Sequence, residues 1–312
     1  TEELAARSGP GIGGLLNVTF GNAPELIIAV FALAGGLHEV VKASLVGSIL
    51  GNILLVLGAS LLAGGLRRER QVFSDAAATA QSSALMLAVA AVVLPAVFVL
   101  AQGSSLPPAG AELVRYGSRV ENLSLVIAAV MVLAYAALLL FSLKTHRELF
   151  NPPDDEPEAG WSTRRAVSML GLAGLVVAGM SEVLVHSITG AARAAGLSQF
   201  FIGAIIVAVV GNAAEHWVAV AVAIKGRTDL AVNIAIGSSS QIALFAIPVL
   251  VLLSAVVGPH PMALVLNGYE IAALVLAILI SVQITSRGEA TWLDGVQLLA
   301  VYVVTTLTFL FA

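Results

Sequence analysis

Apolar and polar positions along this chain do not alternate. They fall into long apolar blocks separated by short polar ones. Nine blocks, near 12–35, 43–64, 79–102, 121–143, 166–190, 199–224, 230–256, 265–286 and 291–312, are long enough to be spans; crossing a hydrocarbon layer takes roughly 20 helical residues. Lipid offers the backbone no hydrogen-bond partners, so only helices or closed barrels cross it. Continuous apolar runs select helices over the short alternating strands of a barrel. The pattern predicts an all-α polytopic membrane protein with about nine transmembrane helices.

Two blocks are interrupted in the same way. Gly21-Asn22-Ala23-Pro24-Glu25 matches Gly211-Asn212-Ala213-Ala214-Glu215, and Gly47-Ser48 matches Gly237-Ser238, every pair 190 residues apart. A fixed offset between matching segments marks an internal repeat. Nine spans do not divide equally: the second copy has a span, 166–190, before its motif helix, and the first has none. Thr1-Glu2-Glu3-Leu4 echoes Ser181-Glu182-Val183-Leu184 at the end of that extra span. The expectation is that the chain starts at the tail of a helix whose body is missing from it. The halves are then 1–145 and 164–312, joined by an acidic linker over 146–163.

Charge fixes orientation. The N-terminus and the connections near 65–78, 144–165, 225–229 and 287–290 carry 11 of the 15 Lys and Arg, from Arg7 to Arg287; Lys42, Arg115, Arg119 and Arg193 lie on the other face. The excess of basic residues predicts that the first face, with the acidic linker, is cytoplasmic. Glu25 and Glu215 fall on the first and sixth spans, five crossings apart, so the two copies run in opposite directions: an inverted-topology repeat, the plan of many secondary transporters.

Composition agrees. The chain is 59% hydrophobic and 11% charged, with a net charge of -4 and no basic patch that would suit nucleic acid. It has no cysteine, which excludes disulfides and thiolate metal sites. The first ten residues hold no apolar signal-peptide core. Richness in Ala, Gly, Leu and Val suggests a prokaryotic cell membrane. Segment 151–158, NPPDDEPE, reads as a solvated linker and matches no complete EF-hand loop.

Glu25 and Glu215 lie about midway along their spans, where a carboxylate costs from a few to more than 10 kcal/mol unless something neutralises it. No Lys or Arg falls inside any span as drawn, which leaves a bound cation or protons. Inverted symmetry brings both acids toward one mid-membrane site, and two facing carboxylates suit a hard divalent ion. Calcium takes six to eight oxygens, mixing carboxylate, amide, backbone and water. The same helices offer Asn22, Asn212, Ser48, Asn52, Ser238, Ser240 and Gln241. The Gly-Asn pairs, with Pro24 in the first copy, weaken the helix just before each acid. With the ion gone, two close carboxylates take up protons, so cation and proton compete for one site.

Alternatives stand beside these assignments. Asn22 and Asn212 suit interhelical hydrogen bonds as well as ligation; Ser48 and Ser238 suit close helix packing. His216 reads either as a packing residue or as a proton relay or gate. Glu182 with His186 reads as interfacial, and Glu270, at the start of its span, as structural.

The GNAPE and GNAAEH segments, each followed by a GS-containing helix (GSILGN, GSSSQIALF), resemble the calcium/proton exchanger (CAX) family of the cation/calcium antiporter superfamily. The resemblance covers both repeats. It implies eleven spans, one extra helix followed by two inverted five-helix repeats with an acidic segment between them, of which this sequence lacks the first two. It implies Glu25 and Glu215 as the cation- and proton-carrying pair, with the surrounding Asn, Ser and Gln as auxiliary ligands. Ca2+ and H+ are then the transported ions, and no cofactor is expected. Gly51 departs from the pattern, where many relatives carry a serine, and that leaves one auxiliary oxygen fewer. Sodium/calcium exchangers of the same superfamily instead show hydroxyl-rich GTS-x-PE-like motifs; Gly21, Asn22, Gly211 and Asn212 stand at those positions here. A two-acid membrane enzyme would need a nucleophile or a full metal set, and a scaffold would not need mirrored mid-membrane acids. Oligomeric state is not readable from the sequence.

Overall fold

The computed structural model describes residues 21–109, 117–145 and 160–312. The first half holds α1 (Ala23–Ala34), α2 (His38–Gly65), α3 (Asp75–Ala101) and α4 (Ser118–Thr145). The second holds α5 (Thr163–Ala195), α6 (Gln199–Gly211), α7 (Ala213–Ile224), α8 (Thr228–Leu253), α9 (Gly268–Thr285) and α10 (Trp292–Leu310). Seven of these are apolar and long enough to cross a membrane, and α6 with α7 makes an eighth span bent by 57°. The ninth expected span is seen as α1; its earlier part, the Thr1–Leu4 echo, and linker residues 146–159 lie outside the described residues.

The inverted repeat is visible in the element bounds. α1 and α7 are both 12 residues long and differ by 190 in number, and α2 and α8 begin 190 apart. Packing follows a pseudo-twofold: the C-terminal half of α2 packs on α10, and that of α8 on α4. α2 and α8 form the centre and are mostly buried, whereas α5 is largely exposed. That burial follows from small and polar residues, which let membrane helices approach where lipid-like side chains would not. Gly47 marks the closest approach: a Cβ there would collide with the carbonyl of Ala204 on α6.

The two faces are distinct. Residues 71–72 and 289–290 pair as short antiparallel strands, Gln71 opposite Ala290. Arg68 donates to the carbonyls of Gly64, Ala223 and Ile224, and Asp229 accepts from the Ser74 amide. Three connections assigned by charge to one face are thus hydrogen-bonded to one another.

On the opposite face two expectations need correction. Residues 265–267 are not helical: Pro261–Asn267 form no regular secondary structure, with Met262 through Leu266 buried. Helix α9 starts later because Asn267 caps it, its side chain accepting from Glu270 N at 3.0 Å while the Glu270 carboxylate accepts from Asn267 N at 2.9 Å. The irregular stretch is tolerated because protein groups satisfy it: Ser124 Oγ accepts from Leu264 N, Ser254 Oγ from Met262 N, and Lys42 donates to Val265 O. Glu270 is therefore part of a capping box. Asn267→Ala should lower stability by about 0.5–2 kcal/mol, read as a lower melting temperature in detergent.

The second correction concerns Lys42. Helix α2 begins at His38, five residues earlier than the apolar pattern suggests, and encloses Lys42 at 3% exposure. A base does lie inside a span. Its Nζ is 2.6 Å from Glu39 and 2.7 Å from Val265 O, so its charge is answered locally.

Candidate cation site

Each acid occupies the first turn of a short helix that begins inside the membrane layer. Asn22 and Asn212 precede α1 and α7 with nearly the same backbone, φ -94°, ψ 18° and φ -96°, ψ 6°. Neither conformation continues an α-helix. Twelve residues span about 18 Å at 1.5 Å each, roughly half of a 30 Å hydrocarbon layer, so both breaks fall near mid-depth. The weakening expected from the Gly-Asn pairs is realised as the bend between α6 and α7.

Helices α2 and α8 face these breaks and widen at equivalent places. π-helical turns occupy Gly51–Val56 and Ile242–Ala246, one turn beyond Ser48 and Ser238. Such turns expose backbone and concentrate at functional sites.

The side chains converge across the two repeats. Asn22 Nδ2 donates to Gln241 Oε1 at 2.7 Å. Ser238 Oγ lies 3.0 Å from Glu215 Oε2 and 3.3 Å from Asn22 Oδ1, sharing one proton between them, and accepts from Asn52 Nδ2 at 3.1 Å. In the other copy Asn212 Nδ2 donates to Ser48 Oγ at 2.9 Å and to Ala208 O at 2.8 Å. The acids cross over. A Cβ on Gly21 would stand 3.7 Å from Glu215 Oε1, and one on Gly211 3.9 Å from Glu25 Oε1. Each carboxylate thus reaches the glycine of the other repeat's motif.

Two oxygens in this set are buried and receive no hydrogen bond from any described residue: Glu25 Oε2 and Asn212 Oδ1. Both are acceptors, and buried acceptors without donors are costly. The Asn212 amide is held by both of its donor contacts, which leaves its carbonyl oxygen free for a cation. Glu25 lines a small cavity with Ile28, Ser44, Ser48, Val207 and Gly211. Among the described residues no three His, Asp or Glu side chains gather; the donor set is two carboxylates with neutral amides and hydroxyls, the mixture a hard cation accepts.

Of the residues singled out in the sequence, Glu25, Glu215, Asn22, Asn212, Ser48, Asn52, Ser238 and Gln241 come together. Ser240 turns away, its hydroxyl donating to the Gln81 carbonyl on α3 at 3.1 Å. His216 is half-buried, and its Nε2 has no partner among the described residues. Its ring lies against Gly51, where a Cβ would be 4.0 Å from Cε1; the repeat-related position of Gly51 carries Gln241, so His216 fills the side that lacks that amide. Sequence reasoning missed Gln81, which donates to Asn233 Oδ1 at 3.0 Å and lies 3.5 Å from a Cβ built on Gly237. It also missed Ser44, one turn before Ser48. Their only signal was a polar side chain at the edge of an apolar run, with no counterpart in the other repeat.

The profile of the family described as sodium/calcium exchanger protein matches residues 1–144 and 165–311. The chain is 45% identical over 315 residues to the Ca(2+)/H(+) antiporter ChaA of Bacillus subtilis, covering 99% of this chain and 86% of that protein. The solved structure of native YfkE superposes with a TM-score of 0.82 at 41% identity, covering 100% of this chain and 88% of that one. The crystal structure of the H+/Ca2+ exchanger CAX shares the fold at a TM-score of 0.68 and 16% identity, over 99% and 79% of the two chains. This integral membrane protein, with its inverted repeats and crossed acids, belongs to the sodium/calcium exchanger protein family.

Proposed function

We propose that the protein is a secondary active antiporter that exchanges cytoplasmic Ca2+ for protons by alternating access at the Glu25–Glu215 site. One observation carries the reading: two repeat-related carboxylates converge near mid-depth in a set of neutral oxygens, with buried acceptors that no described residue supplies with a donor. The Ca(2+)/H(+) antiporter ChaA, nearly half identical along the whole chain, supports the choice of ions. Glu25 and Glu215 bind the ion or the protons. Asn22, Asn212, Ser48, Asn52, Ser238 and Gln241 supply oxygens or hold the ligating groups in place, while Ser240 braces α8 against α3. With Ca2+ bound both carboxylates are ionised; once it leaves, protons neutralise them and prevent an empty pair of charges at mid-membrane. The ions are cargo, and the reading needs no cofactor. Glycine and asparagine at positions 21, 22, 211 and 212 offer fewer hydroxyls than a sodium site uses, which favours protons as the counter-ion. The basic face, with its hydrogen-bonded loops, is taken as cytoplasmic by the positive-inside rule, and the membrane as a prokaryotic cell membrane.

The test is 45Ca2+ uptake into proteoliposomes under an imposed pH gradient, repeated with a sodium gradient. Uptake that follows the proton gradient and ignores sodium is expected. Sodium-driven uptake would move the protein to the other branch of the family, and no uptake of Ca2+ under either gradient would sink the calcium assignment.

A further inference from the structure

A second group of metal-binding side chains lies away from the acids, on the face opposite the hydrogen-bonded loops. His38 opens α2, and His260 lies in the connection from α8 to α9. The rings meet edge to face, centroids 4.5 Å apart and planes at 81°. The backbones around them are also in contact: a Cβ on Gly36, in the α1–α2 turn, would stand 3.2 Å from the ring of Pro259. His38 is 6% exposed. Nε2 of both rings is buried and has no hydrogen-bond partner among the described residues.

Their protonation can be partly read from geometry. His260 Nδ1 is 3.2 Å from Pro261 O; a carbonyl only accepts, so the proton belongs on Nδ1 and Nε2 carries a lone pair. An imidazole that donates its other N–H to a backbone carbonyl is the usual state of a metal-ligating histidine. Two touching imidazoles, each with a buried Nε2 that no described residue partners and one oriented in this way, lack what would satisfy them as packing groups.

We infer that His38 and His260 form a two-imidazole site for a borderline divalent transition metal, of which Zn2+ is the type. Imidazole suits Zn2+, Ni2+ and Cu2+, whereas Ca2+ prefers an all-oxygen shell, so the site is chemically separate from the carboxylate pair. One ligand comes from each repeat. A bound ion would tie the start of α2 to the α8–α9 connection, and water at the half-exposed edge of His260 completes its coordination. The inference does not depend on the exchange reading, because it concerns other residues and another class of ion.

Calorimetric titration of the purified full chain with ZnCl2, in excess Ca2+, tests it. One tight equivalent is expected. His38→Gln and His260→Gln should each weaken it by more than the roughly 10–100-fold that follows loss of an outer-shell partner, while the Glu25→Gln/Glu215→Gln double variant keeps it. Undiminished Zn2+ binding in the histidine variants, or its loss in the carboxylate variant, would overturn the site. Should a histidine variant not fold, X-ray absorption on the Zn2+-loaded wild type decides. Nitrogen neighbours at about 2.0–2.1 Å with imidazole scattering support the site; an all-oxygen shell rejects it.

Discussion

Glu25→Gln should abolish Ca2+ uptake while leaving the protein folded, and Glu215→Gln should do the same. The substitution is nearly isosteric and removes one of two charges. Taking away one partner of a buried ionic contact costs about 3–5 kcal/mol, a loss of at least about 100-fold in cation affinity. It also removes a group that must bind and release a proton, so transport falls further than binding. The ion-free protein should suffer little, since a neutral amide at mid-membrane replaces a carboxyl group that is itself costly there. The measurement pairs proteoliposome uptake with thermal melting in detergent. Wild type should gain melting temperature on adding Ca2+, as any ligand of the native state requires, and neither variant should. Ca2+-dependent stabilisation that survives in Glu25→Gln would place the ion elsewhere.

Gly47→Ala should be severely destabilising, although alanine is the better helix former. At Gly47 the backbone of α6 is in the way: the new methyl would collide with Ala204 O, C and Cα, and backbone cannot rotate aside as a side chain can. Overpacking of this kind costs typically 1–3 kcal/mol. Function should suffer more than stability, because Ser48 is the next residue and holds the Asn212 amide. A shift of α2 away from α6 pulls that contact apart. The expected result is a clearly lower melting temperature together with at least a tenfold loss of uptake, read against Gly171→Ala on α5 as control, where a Cβ meets nothing within 4 Å. Equal behaviour of the two variants would show that the α2–α6 approach is looser than described.

The spans, the repeat and the acids were legible because each leaves a signal in one dimension. Apolar blocks report helices, and the 190-residue offset between Glu25 and Glu215 also carries over the bounds of α1 onto α7. What was not legible depends on contacts between distant segments. Lys42 reads as a loop residue until Glu39 and the Val265 carbonyl are seen to hold it inside α2. Residues 262–266 have the hydropathy of a helix, and only the Asn267–Glu270 cap and the hydrogen bonds to Ser124 Oγ and from Lys42 show why they are not helical. Ser240 looked like a ligand by proximity to Ser238, yet helical geometry turns it toward α3. Gln81 and Asn233 were invisible for the converse reason: neither has a repeat-related partner to raise it above the background.

The shared breaks at Asn22 and Asn212 also set the charge balance of the site. Each starts a helix whose N-terminus, with its unpaired amides, behaves as about half a positive charge. With both acids ionised and no ion present, the site carries two more negative charges than it does with Ca2+ bound or with both acids protonated. The two loaded forms are therefore electrostatic equivalents to the surrounding lipid, and the empty form differs from both. A fold that carries either load across the same barrier, and resists crossing empty, follows from where two helices begin.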